Sequence, residues 1–511
     1  MKLRNKENLV QSFISKFFLY FHTLRYLKPG QVFWRFWYKL YTSQVNLSQH
    51  PDLRQINTEW IIPTLKYQSI FAETTFMFLN KSKSLQEVGW QGTECDKLWR
   101  YNQHYFDDLN AKNSSERIHL HRILINDWIK KNPPGKDVGW EPYPTSLRIV
   151  NLVKWSLSGN LLSDEWLHSL AVQARWLYKN IEWHILGNHL FANAKALIFV
   201  GLFFDNFEAE NWLKKGLKIV TDEINEQVLT DGGHFELSPM YHCIFLEDVL
   251  DLLNLFNTFP DQVTEVDLKF LKLTASRMLN WLNYMCHPDG EIAFFNDSAM
   301  GVSLPPREIE LYAKRLKINK IENSSVKKKL SIKHNFDSGY IQLATDNVRF
   351  FLDVAPIGPD YLPGHGHADT LSFEMSFLDK RVFVNGGISQ YGNGVIRQIE
   401  RGTAAHNTVE IDNKNSSETW AGFRVAKRAT PFSLLKQRTD SFISVSCKHD
   451  GYKRLSGRPI HQRTWKLSDN KILINDRIDG AFKSAKAYFL IHPDIIVTSN
   501  SKSIWKLYLP K

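Results

Sequence analysis

The stretch RLKINKIENSSVKKKLSIKHNFDSGYIQLATDNVRFFLD, Arg315 to Asp353, divides the chain. Before it, apolar residues recur three and four apart; after it they alternate, which is the change from helical to strand period. The polar, Lys-rich piece from Lys317 to Lys333 interrupts both patterns and puts the domain boundary within 315–337. On its N-terminal side the spacing predicts helices near 116–130, 144–158, 162–180, 189–205, 208–227, 239–257 and 266–285. Short connections between them predict an all-α array with antiparallel neighbours. On its C-terminal side Tyr340-Ile-Gln-Leu, Val348-Arg-Phe-Phe-Leu, Phe442-Ile-Ser-Val and Lys471-Ile-Leu-Ile predict short strands, with a last one over Ser503 to Leu509. Turns such as Ser468-Asp469-Asn470 separate them, as in an antiparallel sandwich. The expected organisation is multidomain α + β: a helical extension over 1–80, a helical array over 81–325 and a β-sandwich over 326–511.

Within the sandwich half, Pro363 to Asp412 concentrates chemistry. It opens with Gly-His365-Gly-His367-Ala-Asp369 and closes with Ala-Ala-His406-Asn-Thr-Val-Glu-Ile-Asp. Between them lie two strand-like runs, Leu371 to Phe377 and Arg381 to Asn385, and a Gly/Asn-rich loop with Arg397, Glu400 and Arg401. If the segment is extended, His365 and His367 share a face. Two such imidazoles suit metal binding, or one on a metal and one for proton transfer. A pair of surface histidines in a turn is the plain alternative.

Two helix starts stand out in the α half. Asn188 sits where an N-cap belongs, ahead of an apolar helix, with His189 beside it. Ser238 is a good cap and Pro239 a good first helical residue, which puts Tyr241 in a first turn. If alternate helices run parallel, both starts lie at one end, where free N–H groups and the helix dipole favour a carboxylate. Plain capping for Asn188 and an ordinary aromatic at Tyr241 are the bland readings. From Leu98 the text is dense in polar and aromatic residues, including Asn102, His104 and Tyr105. These, with Tyr143, His234, Glu236, Arg397 and Arg401, are the candidate substrate contacts.

Composition narrows the partners. The 511 residues carry 64 Lys+Arg against 53 Asp+Glu, a net charge of +11. Such an excess favours a polyanion: nucleic acid, a membrane surface or an acidic polysaccharide. No helix-turn-helix or finger pattern supports nucleic acid. The 16 Trp, 18 Tyr and 33 Phe suit sugar stacking as well as an ordinary core. Four scattered cysteines without C-x-x-C spacing argue against a disulfide framework. Lys2, Arg4 and Lys6 followed by Phe13 to Phe21 make a poor signal peptide, and no run reaches transmembrane length. The segment Thr23 to Tyr41, rich in aromatic and basic residues, reads first as a helix docked on the protein itself, with a membrane-surface helix as the alternative.

GNHLFANAKAL, GGHFELSPMYH, GHGHADTLSFE and RGTAAHNTVEID, taken together and in this order, resemble the heparinase II/III family of polysaccharide lyases. The resemblance runs from about residue 95 to the end. The text from Trp140, WEPYPTSLRIVNLVKW, and from Asn415, NSSETWAGFRVAKRA, is most similar to members associated with bacterial surface-polysaccharide clusters. The resemblance implies an (α/α) toroid followed by a β-sandwich, a cleft between them, and β-elimination of a uronate-containing glycan. It implies that Asn188 and His189 neutralise the substrate carboxylate, and that Tyr241 is the base or acid at the scissile bond with His365 as its partner in the other role. A Tyr241 phenolate needs nearby positive charge, which Arg397 or Arg401 could supply. His367 and His406 match positions that bind a structural zinc in several members. The third ligand there is an Asp, where this chain has Asn385, a poorer ligand, with Asp369 as a substitute. A location in the cell envelope or periplasm is implied, although the weak signal pattern leaves the cytoplasm open. The alternative function is a glycan-binding groove without catalysis.

Overall fold

The computed structural model describes residues 16–71, 74–320 and 330–510. Residues 1–15 of the signal-like start and most of the Lys-rich boundary therefore lie outside the described residues. Two helices open the chain, α1 (16–24) and α2 (Pro29–Leu40). The extension is not only helical: Ile70–Phe71 (β1), Thr75–Phe78 (β2) and Lys81–Ser84 (β3) form a small antiparallel sheet. The β2–β3 turn at Leu79 and Asn80 uses left-handed backbone, and Phe76 pins the sheet to Trp90 and Trp99.

The helical array follows as α3 (Lys97–Gln103), α4 (Ile118–Lys131), α5 (Pro142–Leu157), α6 (Asp164–Lys179), α7 (Gly187–Phe203), α8 (Phe207–Gln227), α9 (Pro239–Thr258), α10 (Glu265–Tyr284) and α11 (Pro306–Arg315). Sequential helices pack together from α5 to α8 and from α9 to α11, and so do alternate ones, α5 with α7, α7 with α9 and α9 with α11. The alternate set is an inner layer. Accordingly α7 and α9 are buried nearly all round, whereas α8 and α10 bury one stripe. The tightest pair is α7 and α8, where a Cβ on Gly201 would lie 2.6 Å from the Leu213 nitrogen and one on Gly216 2.8 Å from the Ala194 oxygen.

The second half is built on two main antiparallel sheets, with three two-stranded ones beside them among the described residues. Ser331–Asn335 (β4), Tyr340–Ala344 (β5), Val348–Asp353 (β6), Phe373–Phe377 (β7) and Lys380–Phe383 (β8) are ordered β8-β7-β6-β5-β4. Pro431–Arg438 (β9), Phe442–His449 (β10), Ile460–Ser468 (β11) and Ile472–Asp479 (β12) form a meander. Ile341, Leu343, Phe350 and Phe373 from one sheet meet Ile443, Val445, Trp465 and Leu467 from the other in one apolar core, so the sheets form a sandwich. A separate cluster of Leu237, Trp281, Tyr284, Phe295, Tyr340 and Phe351 glues the sandwich to the helical array. Polar ties reinforce that seam: Trp281 donates to Ser338 Oγ at 2.9 Å, and His287 bonds Glu374 at 2.9 Å and Ser376 at 2.6 Å.

Candidate active site

Helix N-termini build one wall. Tyr143 is the second residue of α5, Asn188 the second of α7 and Tyr241 the third of α9. The cap at Ser238 is as expected, its Oγ accepting from the Tyr241 N–H at 3.1 Å. Asn188 is not the cap. Leu186, at φ +69°, takes that place without a side-chain bond, so Asn188 lies inside the first turn. Gly187 between them also has positive φ, and a Cβ there would stand 2.4 Å from Leu362 Cδ2 and 3.4 Å from Glu236 Oε1. The start of α7, the segment before α9 and the loop carrying His365 therefore converge. His189 bonds Glu182 through Nδ1 at 3.1 Å and lies against Tyr143, ring centroids 4.3 Å apart. Tyr143 in turn touches Tyr101 and Tyr105, extending an aromatic wall away from α7. Asn102 is half-buried beside it, its amide donating to Leu98 O at 2.8 Å.

The facing wall is the 361–372 loop, which is not a strand. His365 and His367 do reach a common target, the buried Asp297. His365 Nδ1 is 2.8 Å from Oδ2 and His367 Nε2 2.7 Å from Oδ1. Arg397, from the short helix α12 (Val395–Glu400), adds a bidentate clamp on the same carboxylate. Burial pushes the Asp297 carboxyl up, but bonds from His365, His367 and Arg397 outweigh it and hold it well below the usual carboxylate range. Asp297 can only accept, so it places a proton on Nδ1 of His365; in the neutral ring the lone pair is then on Nε2.

The Tyr241 ring lies on the His365 imidazole, centroids 3.8 Å apart, and its hydroxyl meets the Tyr391 hydroxyl at 3.0 Å. Burial, then Tyr391 and Asp297, push the Tyr241 phenol well above its ordinary value, so it is protonated at neutral pH. Glu236 is buried with neither carboxylate oxygen hydrogen-bonded among the described residues, and Oε2 is 3.7 Å from His365 Nε2. Burial raises its carboxyl, against the pull of His365.

Several expected contacts belong elsewhere. His104 is buried behind the wall, accepting from Trp128 Nε1 at 2.9 Å, and burial pushes its imidazole down to about 3. His234 is equally buried, against Phe245 and 3.1 Å from Gln227 Oε1. Neither faces a substrate. The Arg397 charge is spent on Asp297, and Arg401 is buried on the carbonyls of Gly366, Ala421 and Gly422. Arg401 thus holds the histidine loop to the 421–424 turn, while the Arg397 charge, though clamped on Asp297, still acts on Tyr391 and Tyr241.

The residues do not fit a zinc. His367 Nε2 is taken by Asp297 and its Nδ1 lies 3.1 Å from His406 Nε2. Burial lowers both imidazoles, His406 the further. The Asn385 amide donates to Phe294 O at 2.8 Å and accepts from the Asn407 N–H at 3.2 Å. Asp369 accepts from the Asn296 N–H at 3.2 Å. Among the described residues no group of three or more His, Cys, Asp or Glu is arranged to hold a metal ion.

Sequence reasoning missed Asp297, Tyr391 and Phe423. The text Phe294-Phe295-Asn-Asp297 carried one signal: a carboxylate in an apolar run must be paired if buried. Tyr391 and Phe423 stack on each other 5.8 Å apart beside His365, with Gly and Asn neighbours that looked like plain loop.

The Heparinase II/III N-terminus family model matches residues 53–321, and the Heparinase II/III-like, C-terminal model residues 328–507. A heparin-sulfate lyase from Bacteroides stercoris is 28% identical over 351 residues, covering 57% of this chain and 50% of that protein. One from Pedobacter heparinus is 28% identical over 331 residues, covering 57% and 47%. The chain thus spans about half the length of the curated relatives it matches. A crystal structure of heparinase III shares the fold at TM-score 0.59 and 20% identity, covering 78% of this chain and 65% of that one. With both halves matched by the family's own models, the chain belongs to the heparinase II/III family.

Proposed function

We propose that this protein is a polysaccharide lyase that cleaves a uronate-containing acidic polysaccharide by β-elimination. The observation that carries the reading is the stacked Tyr241–His365 pair with Asp297 behind it. Family membership and the likeness to heparin-sulfate lyases support it. An exported acidic glycan is met in the cell envelope or periplasm, which is where this reading puts the enzyme.

His365 Nε2 takes the proton alpha to the uronate carboxylate. Asp297 orients the ring and, with Glu236 on the other side, balances the imidazolium that forms. Asn188 and His189, at the positive end of α7, meet the charge that builds on the carboxylate. Tyr241 gives its phenolic proton to the glycosidic oxygen as the carbon–oxygen bond breaks and the ring double bond forms. The raised Tyr241 value favours this division of labour over Tyr241 as base. The tyrosinate left behind takes the proton back from His365, directly or through Tyr391, and the cycle closes. The half-buried rings of Tyr101 and Tyr143 supply stacking faces for neighbouring sugars, with Tyr105 buried behind them.

The test is ultraviolet absorbance of the unsaturated uronate product, with the producing strain's acidic surface polysaccharide and a panel of uronate glycans. Wild type is expected to turn over, and Tyr241→Phe to lose about 10²–10⁴ in kcat. Saturable binding of the same glycan without absorbance change in the wild type would overturn catalysis in favour of a binding groove.

A further inference from the structure

A helix that docks on its own protein should turn its apolar side inward; α2 does the reverse. Gln31, Trp34 and Tyr38, three and four apart, face the helical array. Tyr38 bonds Ile181 O, Gln31 bonds Ile185 O at 3.4 Å, and Trp34 stacks on Trp183. The opposite stripe is Phe33, Phe36, Trp37 and Leu40, and it stands in solvent at 57%, 65%, 43% and 86% exposure. The preceding helix repeats the arrangement. Thr23 and Tyr20 of α1 hold Trp420 and Val425, while Phe17, Phe18, Phe21 and Leu24 are exposed. Eight large apolar side chains on two consecutive helices exceed the scattered exposure normal for a surface.

The charge around these stripes is one-sided. Lys16, Arg25, Lys28, Arg35 and Lys39 fall within α1, α2 and their link, and no acidic residue occurs between Glu7 and Asp52. Lys28 is paired with Glu226; Lys16, Arg25, Arg35 and Lys39 are exposed. Both helices precede the start of the family-model match at residue 53.

We propose that α1 and α2 form a docking face for an anionic lipid bilayer, with the aromatic stripe entering the interfacial region and the basic side chains meeting lipid phosphates. An amphipathic helix of this composition, aromatic on one side and basic at its flanks, partitions into such an interface. A second copy of the chain is the poorer occupant, since it would bring another basic face and another +11 charges. No helix among the described residues is long and apolar enough to cross a membrane. The face adjoins the cleft: Lys28 lies 3.9 Å over the Tyr361 ring, four residues before His365. Docking would hold the cleft mouth against the membrane.

The experiment is flotation of the full chain with vesicles of phosphatidylglycerol and phosphatidylethanolamine, and with vesicles of phosphatidylcholine alone. Binding to the anionic vesicles, weakened by salt, is expected. Two variants separate the forces: Phe33→Ser/Phe36→Ser/Trp37→Ser removes the apolar stripe, and Arg25→Glu/Arg35→Glu/Lys39→Glu reverses the charge. Each is expected to lose about tenfold or more in partitioning, with circular dichroism unchanged. Failure of the wild type to float, or flotation untouched by both variants, overturns the proposal. So does a concentration-dependent dimer that the serine variant abolishes while vesicle binding is absent, which would make the face a self-interface.

Discussion

Asp297 does the work of three residues' positioning with one carboxylate. It orients His365, accepts from His367 and neutralises Arg397, across 68, 70 and 100 residues of chain. Asp297→Asn keeps the shape but leaves the buried Arg397 charge uncompensated and frees the His365 tautomer. We expect a loss of about 3–5 kcal/mol in stability, read by denaturant unfolding. Turnover should fall by about 10²–10⁴ with KM changed far less. The corresponding change at Tyr241 removes one hydroxyl from a hydroxyl pair and leaves the ring stack, so Tyr241→Phe should cost turnover and little stability. That contrast separates a residue that holds the site from one that acts in it. Neither Asp297 nor its partners' convergence was legible in the sequence. His365, His367 and Arg397 were visible as residue types in a glycine-rich stretch, but a contact spanning 100 residues has no local signature.

At the scale of elements, Gly187 joins α7 to the histidine loop. Its positive φ and the 2.4 Å approach to Leu362 Cδ2 leave no room for a side chain. Gly187→Ala should lower both stability and turnover. Adding Leu362→Ala should restore part of each, because the clash is gone and only backbone strain of about 1–2 kcal/mol remains. A double-mutant cycle with additive effects would break this account. The cap on α9 is simpler: Ser238→Ala should cost about 1–2 kcal/mol in thermal unfolding, since Oγ accepts from Tyr241 and also bonds Asp297 O. Helix positions were legible because long apolar runs with the right period leave little choice, and Ser238-Pro239 is a strong start signal. Asn188 misled because the left-handed turn at Leu186 and Gly187, not an Asn side chain, sets the start of α7. The sheet over 70–84 escaped because its strands are two to four residues long, and β3 is mostly exposed Lys and Ser.

Across the whole molecule, acid should be the solvent condition that fails first. His104 and His242 are buried and pushed down to about 3, against an unfolded value of about 6.5. Between those limits the unfolded chain binds more protons than the folded one. Stability therefore rises with pH in that window and falls on acidification, by about 1.4 kcal/mol per pH unit for each such histidine. Asp297, held low by its partners, adds to the loss as pH falls through its folded value. Denaturant midpoints measured from pH 7 down to pH 4 should drop steadily; a flat profile would contradict the burial of these rings. The domain order was legible throughout, because the change of period at Ser338 needs no knowledge of contacts. How the domains meet was not, since the seam cluster draws single residues such as Leu237, Trp281 and Tyr340 from separate segments.

That seam has a further consequence. Asp297 comes from the part of the chain matched by the N-terminal model, while His365, His367 and Arg397 come from the part matched by the C-terminal one. Turnover would then require completed assembly and not merely correct folding of each half. A molecule with every helix and strand formed, but its halves a few ångströms apart, would be spectroscopically native and catalytically dead. In a urea titration activity should vanish before helical dichroism does.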